Sequence, residues 1–294
     1  MNDFVFVILH FNTYNDTYEC VNSILNQKEY DNYKICIVDN GSENDSYYKL
    51  NEKFKSNKKI ILLHSDENLG FAKGNNIGYK YAKMYLNPKF IIMINSDTIM
   101  KDNLFLEKID NNYKKYKFGV CGPDIYNPNK DKHQNPKRVN FNNVKEIKRM
   151  LNIFKIHMFL CYTYLEYASR IIEKLRNKLK RKVRKLSYKE RYKNNIELHG
   201  ACLIFSKEYI DKFDGINEST FLYFEESFLY FTCKFYKIDM YYFPEMFIIH
   251  NEQGATKSEL KSFIKRKKFY YKNSINSLNE LIKFVISKKG DEQL

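Results

Sequence analysis

A short polar cluster at the end of an apolar run carries side chains suited to a metal ion bound with a diphosphate. Asn95-Ser96-Asp97 follows the run FIIMI and so brings one amide and one carboxylate to the end of a buried strand. Oxygen ligands of this kind suit a hard divalent cation whose remaining coordination positions are filled by the diphosphate itself. The alternative for Asp97 is a cap on the following helix, which is a common role of Asp after a strand.

A second polar cluster, Asp39-Asn40-Gly41-Ser42, follows the apolar run KICIV. The Asp39 carboxylate can accept a hydrogen bond from the ring N–H of uracil or thymine, or from ribose hydroxyls, whereas a turn with an N-cap is the alternative. A Gly- and Asn-rich loop then extends from Asn68 to Gly78. Glycines allow a ligand to approach the backbone closely and a helix start favours phosphate, but such a loop taken alone is a weak signal.

The second half of the chain offers two adjacent carboxylates and a histidine. Glu225-Glu226 follows the aromatic run FLYF, where desolvation and mutual repulsion can raise the pKa of one carboxyl group. His250 ends the run MFIIH, and a neutral imidazole is a suitable metal ligand. Without further context, structural roles are the simpler interpretation of these residues, namely exposed carboxylates at a helix start and a polar histidine at a strand end.

The scaffold for these side chains is predicted by alternating apolar and amphipathic stretches in the first 125 residues. Strand followed by helix, repeated, predicts an α/β fold with a mostly parallel sheet covered on both faces. Such sheets bind ligands at the carboxyl ends of their strands, so three polar loops are expected to meet in one crevice. The predicted strands are 4–9, 34–38, 60–63, 90–94 and 118–121, and the predicted helices are 16–27, 46–54, 73–85 and 103–116.

Composition narrows the class of protein. With 294 residues, of which 44% are hydrophobic and 29% charged, the chain is neither disordered nor collagen-like. Its six cysteines form no CxxC pair, so we expect reduced thiols rather than a zinc site or a disulfide framework. The N-terminus lacks the features of a signal peptide, and no uninterrupted apolar run reaches the roughly 18 residues of a membrane span. These observations predict a cytosolic protein.

The net charge of +15 is concentrated in one part of the chain. Residues 130–193 hold 20 Lys and Arg against 5 Asp and Glu, whereas the two kinds balance elsewhere. The stretch 150–167 is rich in apolar and aromatic residues but also carries charges, which suits a membrane interface better than a span. A basic amphipathic helix is predicted after it, with apolar residues at Ile171, Leu175, Leu179 and Val183.

Three interpretations of this charge stay open. A solvated helix is the simplest. Contact of residues 145–190 with an anionic membrane surface is the second, because each Lys or Arg near the lipid contributes about 1 kcal/mol. Nucleic acid is the third and ranks lowest, since no pattern typical of a nucleic-acid-binding domain accompanies the charge.

Taken together and in order, the motifs resemble family 2 glycosyltransferases, especially their rhamnosyltransferase-like branch. The first half matches through VILHFNTYNDTYECVNSIL, IVDNGS, ENLGFAKGNNIGYKYA and IIMINSDT, and the second through LHGACLIFSKEYIDKFDGINESTFLYFEESFLYFTCKFYKIDMYYFPEMFIIHNEQGATKS. The resemblance implies a GT-A fold, which is Rossmann-like. We accordingly divide the chain into a nucleotide-sugar-binding half (1–126), a basic, aromatic-rich helical insert (127–195), an acceptor-side half (196–258) and a C-terminal helical segment (259–294).

The resemblance also implies an activity: inverting transfer of a hexosyl or deoxyhexosyl group from a UDP- or dTDP-sugar to a glycan or lipid-linked acceptor, in cell-surface polysaccharide synthesis. It implies Mn²⁺ or Mg²⁺ as cofactor, held by Asp97 at the DXD position and by His250. Glu226 is implied as general base, Glu225 as an acceptor contact and Asp39 as the nucleobase contact. The other implied donor-binding residues are Thr13, Asn40, Asn68, Gly70, Phe71, Gly74, Asn75, Asn95 and Ser96.

Two residues depart from the family's pattern. Glu226 stands where Asp is usual, which moves the carboxylate by about 1 Å. Phe228 stands where the family often has a second Asp. We expect an enzyme on the cytosolic face of a membrane, with packing of the insert between subunits as the alternative to lipid contact.

Two other function classes compete with this one. A nucleotidyltransferase would carry a Gly-rich, basic loop after the first strand, where this chain has His10-Phe11-Asn12-Thr13-Tyr14-Asn15. A nucleic-acid- or membrane-binding protein would use the basic helix and keep only a vestigial sugar-nucleotide pocket.

Overall fold

A computed structural model of the chain describes residues 3–27, 30–162, 186–252 and 263–291. Its strands are β1 (Phe4–His10), β2 (Tyr33–Asn40), β3 (Ile60–Ser65), β4 (Phe90–Asn95), β5 (Thr98–Ile99), β6 (Val120–Asn127), β7 (Lys132–His133), β8 (Lys137–Arg138), β9 (Tyr192–Lys193), β10 (Ile196–Glu197), β11 (Cys202–Ser206) and β12 (Met240–His250). Within the described ranges, ten of them form one sheet in the order β3-β2-β1-β4-β11-β6-β12-β5, with β7 beside β6 and β9 beside β12. The pair β8 and β10 forms a separate ribbon.

The first four long strands form a parallel block. β1 pairs in parallel with β2 and β4, and β2 pairs in parallel with β3. These strands are almost continuously apolar because the sheet is covered on both faces. Their registers set His10 beside Asp39 and Leu9 beside Asn95. The four strands predicted here are confirmed, and the polar clusters that follow them lie along one edge of the sheet.

The rest of the sheet contains one reversal that the sequence pattern did not predict. β11 pairs antiparallel with both β4 and β6 and so separates them, while β12 pairs in parallel with β6. Among the described strands of five or more residues, only β11 therefore opposes the common direction. The strand predicted at 118–121 corresponds to β6, which starts at Val120 and continues to Asn127.

Helices cover both faces of the sheet. The helices are α1 (Tyr14–Leu25), α2 (Ser46–Phe54), α3 (Phe71–Tyr81), α4 (Phe105–Tyr116), α5 (Val144–Tyr162), α6 (Lys207–Ile210), α7 (Glu225–Phe235) and α8 (Phe263–Asp291). Buried residues of α1, α2 and α4 share one core cluster, and those of α3, α6 and α7 share the cluster on the opposite face. The helix predicted at 46–54 is confirmed residue for residue, and the one predicted at 73–85 is α3 followed by a π-helical turn, Ala82–Leu86.

A third apolar cluster lies outside the sheet and joins the insert to the C-terminal helix. α5 buries Ile147, Leu151 and Phe154 in the same cluster as Tyr271 and Leu278 of α8. The predicted basic helix with apolar residues from Ile171 to Val183 lies outside the described residues. No helix in the described part of the chain is both long enough and apolar enough to cross a membrane.

Candidate active site

Asp39 lies at the end of β2, and its two carboxylate oxygens have different surroundings. Its side chain is 1% exposed. Its Oδ2 lies 2.8 Å from His64 Nδ1 and accepts a 3.3 Å hydrogen bond from the backbone N–H of Ser42. Among the described residues Oδ1 has no hydrogen-bond partner, with His10 Nε2 3.9 Å away. Because a buried polar atom without a partner is costly, this oxygen is suited to a ligand's N–H or O–H donor.

His10 and Thr13, at the end of β1, have different surroundings. The buried His10 ring lies 2.7 Å from Thr17 Oγ1 and 2.8 Å from Ser46 Oγ, and burial lowers its pKa to about 4. His10 therefore joins α1 and α2 as a neutral group. Thr13 occupies the N-cap position of α1, but its side chain makes no capping hydrogen bond there. It lies half-buried beside the loop that follows β1.

Asn40 holds the Gly-rich loop in place. Its side-chain N–H donates to Asn68 Oδ1 at 3.0 Å and to the carbonyl of Gly70 at 3.2 Å, while its Oδ1 accepts from the backbone N–H of Leu69 at 3.0 Å. A Cβ at Gly74 would lie only 3.0 Å from Asn40 Oδ1, so the helix that follows can approach this side chain only with glycine there. Asn40 and Asn68 thus shape the loop through contacts with each other.

The same loop is joined to the second half of the chain. Gly70 has a φ of +82°, and a Cβ there would lie 2.3 Å from the carbonyl oxygen of Phe221, so only glycine fits this approach. The N–H of Phe71 donates to that carbonyl at 2.8 Å. Asn75 is turned back onto its own helix, where its side chain donates to the Phe71 carbonyl at 2.9 Å. The start of α3 is therefore fixed against the segment that precedes Glu225.

Asp97 and His250 come together because β5 pairs with β12. The register sets Thr98 beside His250, and Asn251 N–H donates to the Asp97 carbonyl at 3.0 Å. His250 Nε2 lies 3.2 Å from Asp97 Oδ1, and both side chains are buried. On the other side of the ring, His250 Nδ1 lies 2.8 Å from Gln134 Oε1. The contact with Gln134 Oε1, an acceptor, orients the imidazole ring so that Nε2 faces Asp97.

The Asp97 and His250 pair fits a divalent cation. One carboxylate and one imidazole are an acceptable ligand set for Mn²⁺, with Mg²⁺ favouring the oxygen. The described residues contain no group of three or more His, Cys, Asp or Glu able to hold a metal, so the remaining ligands must come from elsewhere. Burial and the nearby charges of Asp97 and Glu19 raise the pKa of Asp16, which indicates negative potential here. Asn95 and Ser96 are half-buried beside this pair.

Glu226 lies in the first turn of α7, as predicted for a helix-start carboxylate, and is held at both oxygens. Its Oε1 accepts a 2.9 Å hydrogen bond from the backbone N–H of Gly200, and its Oε2 lies 2.7 Å from Lys137 Nζ. The neighbouring His199 ring lies 5.4 Å from the ring of His250. Burial lowers the pKa of His199 to about 4, so this ring is neutral at pH 7. A continuous set of contacts therefore joins the Asp97 and His250 pair to Glu226.

The carboxyl groups around Glu226 divide into two kinds. Burial raises the pKa of Glu225 to about 7, with repulsion from Glu226 adding to the effect, and Glu225 accepts a 3.0 Å hydrogen bond from Thr220 Oγ1. Burial also raises the pKa of the fully buried Glu197 to about 7. Burial acts on Glu226 in the same direction, but the charge of Lys137 and the hydrogen bonds at both oxygens hold its pKa below the usual value. Glu226 is therefore ionised at neutral pH.

Several residues of the site gave no separate signal in the sequence. Lys137 is one of 20 Lys and Arg in a charged segment, and Glu197 is a single carboxylate in the stretch IELHG. Asn76, next to the predicted Asn75, donates to the Ile216 carbonyl at 2.7 Å and accepts from the Ile216 N–H at 2.9 Å. These roles depend on contacts between distant parts of the chain, which spacing along the sequence does not encode.

Comparison with solved structures identifies the class of fold. Crystal structures of TarS residues 1–349 from S. aureus match the chain with a TM-score of 0.51, for the protein alone at 14% identity and for its complex with UDP at 11%. Each match covers 86% of this chain and 59% of that one. At this identity the likeness shows the fold alone, which is the GT-A fold of glycosyltransferases, as predicted.

The sequence then gives the family. The profile of Glycosyl transferase family 2 matches residues 5–214, and the chain belongs to that family. A curated relative, Glycosyltransferase GlyG from Streptococcus pneumoniae serotype 4, is 30% identical over 105 residues, which are 35% of this chain and 33% of that protein. The chain thus matches only about a third of GlyG's length. The prediction of a family 2 member is confirmed.

Proposed function

We propose that this glycosyltransferase is an inverting, metal-dependent enzyme that transfers a hexosyl or deoxyhexosyl group from a UDP- or dTDP-sugar. One observation carries the proposal: the Asp97 and His250 pair is joined through His199 to an ionised carboxylate, Glu226. A metal-binding pair and a proton acceptor in one continuous set of contacts are what a single in-line displacement requires. The sequence resemblance assigns the same residues to the same two roles.

In this mechanism Glu226 takes the proton of the acceptor hydroxyl while the new bond forms at the anomeric carbon. The bond from that carbon to the diphosphate breaks on the opposite face, and the electron pair leaves with the diphosphate. Glu226 is able to accept a proton at neutral pH because its carboxyl group, whose pKa is held below the usual value, is ionised there. Mn²⁺ or Mg²⁺ held by Asp97 and His250 would neutralise the developing charge of the leaving diphosphate.

The nucleotide is proposed to lie against the ends of β1–β4. Asp39 would hold the nucleobase, since its buried Oδ1 is available to a ring N–H. Asn40 and Asn68 would shape the pocket rather than contact the donor, because their polar atoms bond to each other and to the loop. One of the TarS structures with the same fold is a complex with UDP, which supports a nucleotide as the ligand. The other donor contacts proposed are Thr13, Gly70, Phe71, Gly74, Asn75, Asn95 and Ser96.

The acceptor is proposed to be a glycan or a lipid-linked sugar of a cell-surface polysaccharide, as in the rhamnosyltransferase-like branch. A cleft of about 620 Å³ is lined by His199 and Lys137, two residues that lie beside Glu226, and by Gln134 and Tyr188. A hydroxyl entering from this cleft would meet Glu226 on the side of Lys137. Glu225 is proposed to help hold the acceptor at the start of α7.

A ligand screen on the full chain tests the function. UDP, dTDP, GDP and CDP are each added with Mn²⁺, Mg²⁺ or EDTA, and thermal shift and calorimetry report binding. Stabilisation by one diphosphate that requires the metal is the expected result, since a ligand at about 100 times its dissociation constant adds roughly 2.7 kcal/mol. A folded protein that responds to none of them would overturn the proposal.

We also propose that the enzyme works on the cytosolic face of a membrane and touches anionic lipid through residues 145–190. The outer face of α5 supports this, because Ile156, Phe159 and Tyr162 are 57%, 64% and 55% exposed. Lys268 of α8 lies 4.1 Å above the Tyr162 ring, and neither 147–162 nor 263–279 contains an acidic residue. Exposed apolar side chains surrounded by lysines are typical of a helix at a lipid interface.

Flotation of the full chain with liposomes tests the membrane contact. We expect recovery with phosphatidylglycerol vesicles to fall when Ile156, Phe159 and Tyr162 are replaced by Ser. The matched control replaces Tyr48, Met84 and Tyr85, which are somewhat more exposed but lie on α2 and after α3. Equal recovery of both triple variants would reject the lipid contact. If the Ile156, Phe159 and Tyr162 variant instead loses a concentration-dependent dimer, this face contacts a second copy of the chain.

A further inference from the structure

Lys137 reaches Glu226 from the basic insert. Its Nζ lies 2.7 Å from Glu226 Oε2, and the two side chains are 32% and 21% exposed. The other carboxylate oxygen accepts the Gly200 N–H, so the plane of the carboxylate is fixed from both sides. A residue of the segment with the strongest positive charge therefore contacts the proposed catalytic base directly.

The backbone on both sides of Lys137 is anchored. Gln134 N–H donates to the Ile125 carbonyl at 2.7 Å. The buried Asn135 side chain donates to the Pro123 carbonyl at 2.8 Å and accepts from the His199 N–H at 2.8 Å. At β8, Lys137 pairs with Glu197 of β10. Because these contacts fix the backbone around Lys137, placing its ammonium group beside Glu226 requires little further loss of backbone entropy.

The groups around Glu226 show why a cation is needed. Glu225 precedes it on α7 and Glu197 lies behind it on β10, and each is close enough to interact with its charge. His199, in the loop before β11, also faces it but is neutral at pH 7 because burial lowers its pKa to about 4. Of these neighbours, Lys137 alone carries a positive charge at neutral pH. Without it, burial and two carboxyl groups would favour a protonated Glu226.

We propose that Lys137 is a positioning residue for the catalytic base: its ammonium group keeps the Glu226 carboxylate ionised and turned toward the acceptor. The inference rests on the proposed role of Glu226. The transferred proton moves from the acceptor hydroxyl to Glu226 and then to solvent, so Lys137 gives up no proton in the step. The basic insert is thereby part of the catalytic apparatus as well as a candidate lipid contact.

The experiment compares Lys137→Met and Lys137→Arg with the control Lys132→Met. Lys132 is an exposed lysine that lines the same cleft, five residues earlier in the chain. Carbon-13 NMR of glutamate-labelled full-length protein follows the Glu226 carboxyl titration, with Glu226→Gln identifying its resonance. The Met variant at 137 should raise the midpoint by about one to three pH units, the usual effect of losing an adjacent opposite charge. Lys137→Arg and Lys132→Met should titrate like the wild type.

A kinetic measurement distinguishes the proposed role of Lys137 from the proposed role of Glu226 as general base. The acid limb of nucleoside diphosphate release from the UDP- or dTDP-sugar that matches the diphosphate selected in the ligand screen should move to higher pH in Lys137→Met, with loss of rate at pH 6 and recovery at pH 8.5. An unmoved NMR midpoint, with Glu226→Gln inactive, would overturn the role of Lys137 and leave the base assignment standing. Full turnover by Glu226→Gln would overturn the base assignment itself. Lys137→Gln provides a second test of the charge if the Met variant does not fold.

Discussion

The two walls of the candidate site are built in different ways. The strand-end wall comprises Asp39, Asn40, Asn68 and Gly70, and its amides and backbone groups are hydrogen-bonded mainly to each other. The carboxylate wall comprises Lys137, Glu197, Glu225 and Glu226, where buried charges shift the pKa values in opposite directions. Among the described residues, the first wall leaves Asp39 Oδ1 without a hydrogen-bond partner, which suits this wall to binding a ligand. In the proposed mechanism, the second wall takes the proton of the acceptor hydroxyl.

The largest effect is expected for Glu226→Gln. Because the two walls are separate, this substitution should reduce turnover and leave nucleotide binding unchanged. Turnover should fall by about 10² to 10⁴, the usual contribution of a general base. Binding of a nucleoside diphosphate, measured by calorimetry, should stay at the wild-type level because the strand-end wall is untouched. The matched control is Glu52→Gln, whose exposed carboxylate lies on α2. If nucleotide affinity falls together with turnover, the two walls do not act independently.

Glu197 gives the carboxylate wall a pH dependence that the strand-end wall does not share. The pKa of Glu197 in the folded chain is about 7, above its unfolded value, so the folded state binds this proton more tightly. Stability from Glu197 is therefore complete at low pH and is lost as pH rises toward 7, by about 3 kcal/mol at most. Urea unfolding at pH 5 and pH 8 should show this fall in the wild type and in Glu52→Gln, and a smaller fall in Glu197→Gln, where Glu225, whose pKa is also about 7, still contributes. Parallel changes in all three proteins would contradict the shift.

Asp97→Ala tests whether a metal ion contributes to nucleotide binding separately from the strand-end wall. We expect affinity for the diphosphate in the presence of Mn²⁺ to weaken about a hundredfold, which corresponds to about 2.7 kcal/mol. Affinity measured in EDTA should hardly change, because the variant keeps Asp39 and the Gly-rich loop. The control Asp66→Asn removes an exposed carboxylate near His64 instead. Equal losses with and without metal would show that Asp97 acts on the fold rather than through a cation.

The sequence predicted the strand-end wall well for a physical reason. Parallel strands bring their carboxyl ends to one edge, so side chains such as Asp39 and Asp97 share a region once the strands are recognised. The strands themselves are recognisable because burial on both faces makes them continuously apolar. The sequence did not reveal the structural role of the amide side chains. Asn40 was predicted to bind the sugar-nucleotide donor, whereas its hydrogen bonds go to the Gly-rich loop.

The carboxylate wall could be predicted only at Glu225 and Glu226. The partners of Glu226 come from residues 89 and 26 positions away, namely Lys137 and Gly200. Contacts of that kind depend on tertiary packing, and one lysine among many in a basic segment carries no distinguishing pattern. The reversed direction of β11 was missed for a similar reason, since CLIFS is buried on both faces and its composition does not reveal which way the strand runs.

The smallest effect is expected for Asn76→Ala, which removes a contact between α3 and the segment that precedes α7. Asn76 on α3 holds both the N–H and the carbonyl of Ile216, at 2.9 and 2.7 Å, and also donates to Glu218 at 2.9 Å. Asn76→Ala leaves two buried backbone groups without partners, which should cost about 2 kcal/mol of unfolding free energy in urea titration. Asn111→Ala, on the exposed face of α4, controls for the gain in helix propensity. Because Asn76 touches neither Asp39 nor Glu226, turnover per folded molecule should stay unchanged, and a fall in turnover without a fall in stability would mean that the walls communicate through α3.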